Sequence, residues 1–321
     1  MRATATTSGV KTEECITAEL TELSLSPESS PLPIVDGVAP SYVWLPVGDW
    51  PDLLTFLIQR FPAIPAATWI ARMESGQVAD ANGVKLTSTA PYRQGCRIYY
   101  YRALDAETPI PFEEVILYQD ERLLVVDKPH FLPVIPAGRF LRETLLVRLK
   151  KKTGLSELSP IHRLDRETAG VMMFSLDIAT RGAYQSLFQQ RLVKKVYEAL
   201  APTMPQMAFP LIHCSRMVEG TPFFRMEEVD GEPNSETQID LIEHREENSL
   251  YRLQPLTGKK HQLRVHMAAL GMPIVNDIFY PTINPCKGDD WSSPLKLLAK
   301  SISLNDPVTG QRLVFESNRT L

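Results

Sequence analysis

The nine residues His162-Arg163-Leu164-Asp165-Arg166-Glu167-Thr168-Ala169-Gly170 form the densest polar cluster in the chain, and they run directly into the apolar segment Val171–Ser175. Asp165 lies between two arginines, in a short segment that closes on a glycine and must turn before it enters a strand. Positive charge on both sides favours the ionised carboxylate, the form that acts as a nucleophile or base at neutral pH. The same arrangement equally serves a structural ion-pair node, and these nine residues alone leave both readings open.

Other reactive groups are sparse. The four cysteines (Cys15, Cys96, Cys214, Cys286) are far apart, with no CxxC pair and no histidine at metal-ligand spacing beside them, so reduced, mostly buried thiols are expected. His261 and His266 are five residues apart, a rotation of about 500° on a helix that leaves them off a common face. No metal site is expected.

Composition narrows the class further. A chain of 321 residues with 44% apolar content suits a globular protein of two folded parts and a tail. There is no run of eighteen apolar residues, and the first forty residues lack the pattern of a secretory signal. That stretch holds six acids against Arg2 and Lys11, unlike a mitochondrial presequence. A cytoplasmic protein with no membrane association is expected, and a monomer. The net charge of −4 hides an asymmetry: Arg139 to Lys195 holds twelve Lys and Arg against five acids, whereas Glu227 to Glu247 holds nine acids against Arg245. The basic stretch brackets the Asp165 cluster. A solvated face is the plainer reading of either run.

The elements that must position these groups are partly legible. Residues 1 to 40 are rich in Ser, Thr, Glu and Pro and lack periodicity, which predicts a disordered tail. Trp50, Leu53, Leu54, Leu57, Ile58 and Phe61 follow a helical repeat, with Asp49 as the expected cap and Pro62 as the stop. A second helix fits Pro65 to Ser75, followed by an Asn82-Gly83 turn and strand-like runs ending at Tyr101. Farther on, Val115–Tyr118 and Leu123–Val126 read as a hairpin, and Val171–Ser175, Val193–Leu200, Thr237–Ile242 and Leu250–Leu253 as strands. Helices fit Glu143–Lys152, Asp177–Gln190 and Lys260–Leu270. Strands and helices do not strictly alternate, so the expected class is α+β with a mixed, mostly antiparallel sheet and flanking helices.

Two resemblances add to this reading. The segments "RMESGQVADANGVKL" and "RQGCRIYYY", with the helix pair before them, resemble the small S4-type RNA-binding module over residues 48 to 104. Exposed basic residues on the helices meet RNA in that family, which nominates Arg60 and Arg72; a plain helical cap is the competing reading. The cluster "HRLDRETAG" resembles the signature of the RluA-type pseudouridine synthases, HRLDR followed by x-T-S-G. "LLVVDKPHFLPVIP", "KKVYEA" and "LTGKKHQLRVHMAALGMPIVND" resemble that family's other motifs, in the same order, so the resemblance covers about residues 111 to 321. It implies a pseudouridine synthase fold and divides the chain into a tail (1–40), an S4-like module (41–108) and a catalytic domain (109–321).

The resemblance assigns roles residue by residue. Asp165 becomes the catalytic carboxylate, Tyr197 the aromatic that stacks on the flipped base, and Arg264 the arginine that pairs with Asp165 through a two-pronged contact. Arg163 would enter the RNA stack where the target nucleotide leaves, with Arg166, His162, Leu263 and Lys259 around the same substrate. The implied reaction breaks the N1 glycosidic bond of a uridine, turns the uracil and rejoins it through C5. Taking a base out of an RNA helix costs a few kcal/mol, of which stacking on Tyr197 would recover about 1 to 3 kcal/mol. Positive character at C1′ calls for an ionised carboxylate, whether Asp165 attacks C1′ or removes the C2′ proton. The isomerisation is redox-neutral and requires no cofactor or metal; RNA is the implied partner. Relatives with an S4-like module most resemble those acting on ribosomal RNA, and forms lacking it those acting on transfer RNA. A non-catalytic RNA-binding protein and an unrelated hydrolase are the competing classes; the Asp165, Tyr197 and Arg264 set argues against the first, and the lack of a paired acid against the second. Ala169, Lys260, Asn276, Leu298 and Asp306 depart from the family pattern without removing a catalytic group.

Overall fold

The computed structural model describes residues 30–102, 107–284 and 290–321. These fall into two compact units, one built from the described residues up to 33 together with Ala39–Tyr101, the other from Ile34–Val38 and Arg102–Leu321. The tail expected over residues 1 to 40 lies outside the described residues as far as residue 29. Beyond that the expectation is corrected: Leu32 buries against Ala79 and Tyr99, and the Tyr101 hydroxyl donates to the Pro33 carbonyl at 2.6 Å. An apolar side chain with a site to fill orders a segment whose composition alone argues for disorder.

The smaller unit contains β1 (Ser41–Trp44), α1 (Leu53–Arg60), α2 (Ala66–Glu74), β2 (Val78–Asp80) and β3 (Arg97–Tyr100). Its three strands pair antiparallel in the order β1-β3-β2. Helix α1 starts at Leu53, later than the periodicity suggests, and its cap is Asp52, whose carboxylate accepts from the Thr55 N–H at 2.7 Å. Pro51 disfavours the helical region for Trp50, so the first turn forms only beyond it. The apolar stripe of α1 meets Trp69 and Met73 of α2 and Ile98 and Tyr100 of β3 in one core. Arg72 joins that core: it is 6% exposed, its guanidinium lies 5.0 Å from the Trp69 ring, and burial lowers its pKa. Arg72 is therefore corrected from an RNA-facing residue to a packing one. Arg60 stays exposed.

The larger unit carries β4 (Val115–Gln119), β5 (Leu123–Lys128), α3 (Leu145–Thr153), β6 (Ser159–Pro160), β7 (Ala169–Ser175), α4 (Ile178–Gln189) and β8 (Lys194–Pro202). It continues with β9 (Leu211–Glu219), β10 (Met226–Val229), β11 (Ser235–Glu243), β12 (Asn248–Pro255), α5 (Gln262–Ala269), β13 (Leu297–Asn305) and β14 (Arg312–Glu316). The sheet runs β10-β9-β11-β12-β8-β13-β7-β5-β4, with β14 on β13 and β6 on β7. Among the described strands only β13 and β7 pair in parallel, so the fold is the expected α+β, mixed and mostly antiparallel. Strands β5 and β7 are buried on both faces, which explains their unbroken apolar runs. Leu124, Val126, Met172 and Phe174 point to the α3 side with Leu145 and Leu149. Leu123, Val125, Val171 and Met173 point to the opposite side, where α4 supplies Tyr184.

This packing fixes the segment that carries Asp165, because the chain leaves β6 and must enter β7 at Ala169 and Gly170, alongside Leu298 and Ala299 of β13. Gly170 has φ +113, and a Cβ there would lie 2.2 Å from the Ala299 carbonyl oxygen. Backbone strain of about 1–3 kcal/mol and overpacking of a similar size both apply. Gly170→Ala is therefore expected to destabilise the protein by more than about 3 kcal/mol, read as a urea midpoint. Gly182, exposed within α4 with no atom near its missing Cβ, is the control: Gly182→Ala should stabilise by about 0.5–1 kcal/mol. Equal effects at the two glycines would contradict this account.

Candidate active site

Helix α5 begins at Gln262 after His261, which adopts the left-handed conformation with φ +55. The bend aims His261 and Arg264 at the loop between β6 and β7. Arg264 is 1% exposed. Its Nε and Nη2 donate to the two carboxylate oxygens of Asp277 at 2.7 and 2.6 Å, and its Nη1 lies 3.5 Å from Glu167 and 3.8 Å from Asp165. The two-pronged contact expected for Asp165 thus belongs to Asp277, the correction being that Asp165 receives one longer approach. The reason is reach: Asp277 follows α5 through a short loop and lies flat against the guanidinium, its Oδ1 also accepting from the Phe279 and Tyr280 N–H groups. Burial works to lower the Arg264 pKa, and the hydrogen bonds and charge of Asp277, with Asp165 and Glu167, outweigh it.

Asp165 is left with open oxygens. Its side chain is 16% exposed, and His261 Nε2 stands 4.0 Å away. The ring of His261 stacks on Phe279, and its Nδ1 is 2.9 Å from the Tyr280 hydroxyl, which also accepts from the Met226 N–H. The tautomer that suits both neighbours accepts the Tyr280 proton at Nδ1 and presents Nε2–H to Asp165. Burial first, then the charges of Arg264 and Lys260, depress its pKa to about 3, so it is a neutral donor at working pH. Tyr197, on β8 between Leu253 and Ala299, packs on both apolar clusters that flank the sheet, one of which contains Leu263. Burial, and then the charge of Asp165, raises its pKa and keeps the phenol protonated.

The remaining residues expected at the site divide. Arg163 and Lys259 are exposed. His162 is taken up by the fold: its Nε2 accepts from the Met173 N–H, its Nδ1 faces the Arg163 carbonyl, and its ring stacks on Phe188 at 4.7 Å. Arg166 donates to the Phe131 carbonyl at 3.1 Å and lies over the Phe140 ring. Both are corrected from substrate ligands to braces of the Asp165 loop, since His162 spends both ring nitrogens on backbone groups and Arg166 spends its Nε on a carbonyl, its Nη1 on Glu167 and its planar face on Phe140. Lys128, fully buried, donates to the carbonyls of Pro129, Leu132 and Arg166. Desolvation brings it to about 7 despite Glu167 and Asp165. Asp277, Glu167, His261 and Lys128 carried no role in the sequence reading, although all four stand inside the quoted motifs.

The expected thiols and metals also need restating. Cys96 and Cys214 are exposed rather than buried; Cys15 and Cys286 lie outside the described residues. His261 and His266 point to different sides of α5, the latter to Ser215 and Ser235. His213, Glu228 and His266 bring one ligand atom each within 4.8 Å of one another. His266 Nδ1, however, has no partner among the described residues, whereas a metal-bound imidazole needs that nitrogen anchored. Within the trio His213 and Glu228 are hydrogen-bonded at 2.9 Å, while His266 Nε2 stands 3.9 Å from Glu228 and turns to the two serines.

A family model described as RNA pseudouridylate synthase matches residues 122–269, a span that holds Asp165, Tyr197 and Arg264 and stops short of Asp277. The dual-specificity RNA pseudouridine synthase RluA of Haemophilus influenzae is 34% identical over 209 residues, covering 63% of this chain and 91% of the relative. The chain belongs to the RluA-type RNA pseudouridine synthases. An uncharacterized RNA pseudouridine synthase of Synechocystis is 27% identical over 71% of the chain and 79% of its own length. A match to human pseudouridylate synthase RPUSD2 is 36% identical but spans only 34% of that protein. Among solved structures, human RNA Pseudouridylate Synthase Domain Containing 4 superimposes with TM-score 0.51 at 28% identity, covering 64% of this chain and 88% of that one. This pseudouridine synthase is thus an isomerase that converts uridine to pseudouridine in RNA. No helix among the described residues is long and apolar enough to cross a membrane.

Two expectations follow from the site. Breaking a buried ion pair from one side costs about 3–5 kcal/mol, so Asp277→Asn should destabilise by that order, while Glu167→Gln, at its longer contact, should cost clearly less. Comparison of urea midpoints decides, and a milder effect at Asp277 would reverse the ranking. His261 and His266 are both held at about 3 in the folded protein, His266 by desolvation and then His213. An unfolded imidazole titrates near about 6.5. Below that pH the unfolded chain binds protons that the folded one refuses, so stability is whole above about pH 7 and falls as pH drops. Each histidine contributes up to about 1.4 kcal/mol per pH unit between pH 6 and 4. Midpoints that stay constant from pH 8 to 5 would show that these rings charge in place.

Proposed function

We propose that Asp165 is the carboxylate that carries the isomerisation, and that the target lies in ribosomal RNA. The observation that carries the first part is the division of labour around Arg264. Asp277 holds the guanidinium, and Glu167 pairs with it and with Arg166. Asp165 alone of the three keeps oxygens outside hydrogen-bond reach of the cation while staying partly exposed. In the proposed reaction the C1′–N1 bond breaks, the uracil departs with the electron pair, and C5 bonds to C1′ before losing its proton. The ionised Asp165 answers the positive character at C1′. Tyr197 stacks on the uracil, and its protonated phenol can donate to a uracil oxygen. His261 Nε2–H and Arg264 keep the carboxylate aimed.

The second part is supported by the smaller unit. Its sheet presents Tyr42 and Trp44, 41% and 42% exposed, with the Arg97 guanidinium 5.0 and 4.5 Å from their rings. Cation and aromatic faces together suit unpaired bases. A tethered RNA-binding unit raises the effective concentration of the catalytic site at a large folded RNA. Transfer RNA is the alternative target, and the Haemophilus influenzae relative is named a dual-specificity RNA pseudouridine synthase.

Asp165→Asn should bind RNA and fold as the parent does and form no pseudouridine. Measurable turnover by purified Asp165→Ala would end the assignment. Pseudouridine mapping in both RNA pools of cells with and without the gene decides the target: loss of a site in ribosomal RNA is expected, and loss confined to transfer RNA would overturn that choice.

A further inference from the structure

The β9–β10 hairpin ends in a turn, residues 220–225, that exposes an aromatic side chain. Phe223 is 81% exposed, although nothing about the turn is loose. The Arg225 N–H donates to the Pro222 carbonyl at 2.8 Å and the Gly220 N–H to the Arg225 carbonyl at 3.2 Å. Arg225 donates to the Pro281 carbonyl and lies over the Tyr280 ring. Lys260, at the start of α5, donates to the carbonyl of Phe223 itself at 3.4 Å. A large apolar ring is thus held out in water by a braced backbone, where a flexible loop could have folded it away.

The ring heads a continuous aromatic series. Phe223 meets Phe224 edge-on at 5.7 Å, Phe224 meets Phe279 at 5.3 Å, and Phe279 stacks on His261 at 5.6 Å, whose Nε2 faces Asp165. Cations accompany the series: Lys260 lies close enough for Arg163 to lower its pKa, after burial, while Glu219 and Asp165 raise it. Exposed aromatic surface beside positive charge, a few rings away from a carboxylate that acts on an extruded uridine, matches the chemistry of an unpaired nucleobase: a flat apolar face for stacking and a phosphate for the cations.

We propose that Phe223 is a stacking platform for an unpaired base of the RNA strand that flanks the target uridine. The platform rests on the reading of Asp165 as the reacting carboxylate. When the uridine leaves its stack, a neighbouring base loses a partner, and the Phe223 face replaces it. The hairpin therefore acts on binding and on the choice of loop, not on the bond-breaking step.

The test uses the full chain and a stem-loop RNA with a seven-uridine loop in which 2-aminopurine replaces the nucleotide on one side of the modified uridine or the other. Stacking on Phe223 should quench its fluorescence at one of the two positions. Phe223→Ala and Phe223→Leu should abolish that quench and weaken binding about 5- to 100-fold, with the loss in KM, whereas Phe223→Trp should restore both. Leucine separates stacking from apolarity, and thermal melting checks that removing so exposed a ring leaves the fold intact. Unchanged quenching and affinity in Phe223→Ala would overturn the proposal, as would full rescue by leucine. Asp165→Asn separates the two readings: a quench retained without turnover supports both. Turnover by Asp165→Asn would remove the catalytic assignment and leave the fluorescence result to judge Phe223.

Discussion

A guanidinium buried as deeply as Arg264 must have its charge answered by neighbours, and much of the site's layout follows from that requirement. Three carboxylates meet the cation from two directions: Asp277 from the loop after α5, Glu167 and Asp165 from the loop before β7. Two of these acids would repel each other if the cation were absent, so the loop before β7 and the loop after α5 hold their positions through Arg264. The aromatic faces of Phe279 and Tyr280 close over the guanidinium at 4.9 and 5.5 Å. They keep water from weakening the pairing. An Arg-to-Lys change would forfeit the planar fork on which the Asp277 contact depends.

The neutral groups matter as much as the charged ones. A protonated His261 would form an ion pair with Asp165 and cover the oxygen it faces. Its burial beside Arg264 and Lys260 prevents that, leaving an N–H dipole that orients without neutralising. Lys128 does for backbone what Arg264 does for carboxylates. Its three carbonyl acceptors come from both the β5 exit and the Asp165 loop, so one buried ammonium ties the two segments together.

How much of this could be read in the sequence depended on whether local chemistry or long-range geometry decided each feature. The strands β5 and β7 were legible because burial on both faces leaves an unbroken apolar run. Strand β9 was not: its inward positions carry Leu211, His213 and Ser215, and its outward positions Ile212 and Cys214, so no apolar alternation marks it. Motif order brought Asp165, Tyr197 and Arg264 together, and in the fold Arg264 approaches Asp165 at 3.8 Å while the Asp165 charge reaches Tyr197. The partner of Arg264 was misjudged because sequence shows which charges coexist and not which pair lies coplanar. His162 and Arg166 misled for a related reason: in a motif, a polar residue that braces the loop looks the same as one that touches substrate.

Charge patterning shows the same limit in numbers. The stretch from Arg139 to Lys195 reads as a strongly basic face, yet part of that charge is internal. Arg148 donates to the carbonyls of Ile110 and Phe112, Arg166 to Phe131, and Lys195 to Thr257. Lys150, Lys151 and Lys152 occupy the last turn of α3, where a cation offsets the exposed carbonyl end of the helix. Arg163 is exposed, two residues before Asp165 in the chain. Lys260 lies close enough for Arg163 to lower its pKa, so these two cations form a small basic patch beside Asp165, while much of the acidic charge behind the net −4 lies on β10, β11 and the turns around them. Such a division favours orientation over raw attraction: a distant RNA is not strongly drawn to the whole molecule, but one that arrives is turned with its backbone toward the basic edge of the site.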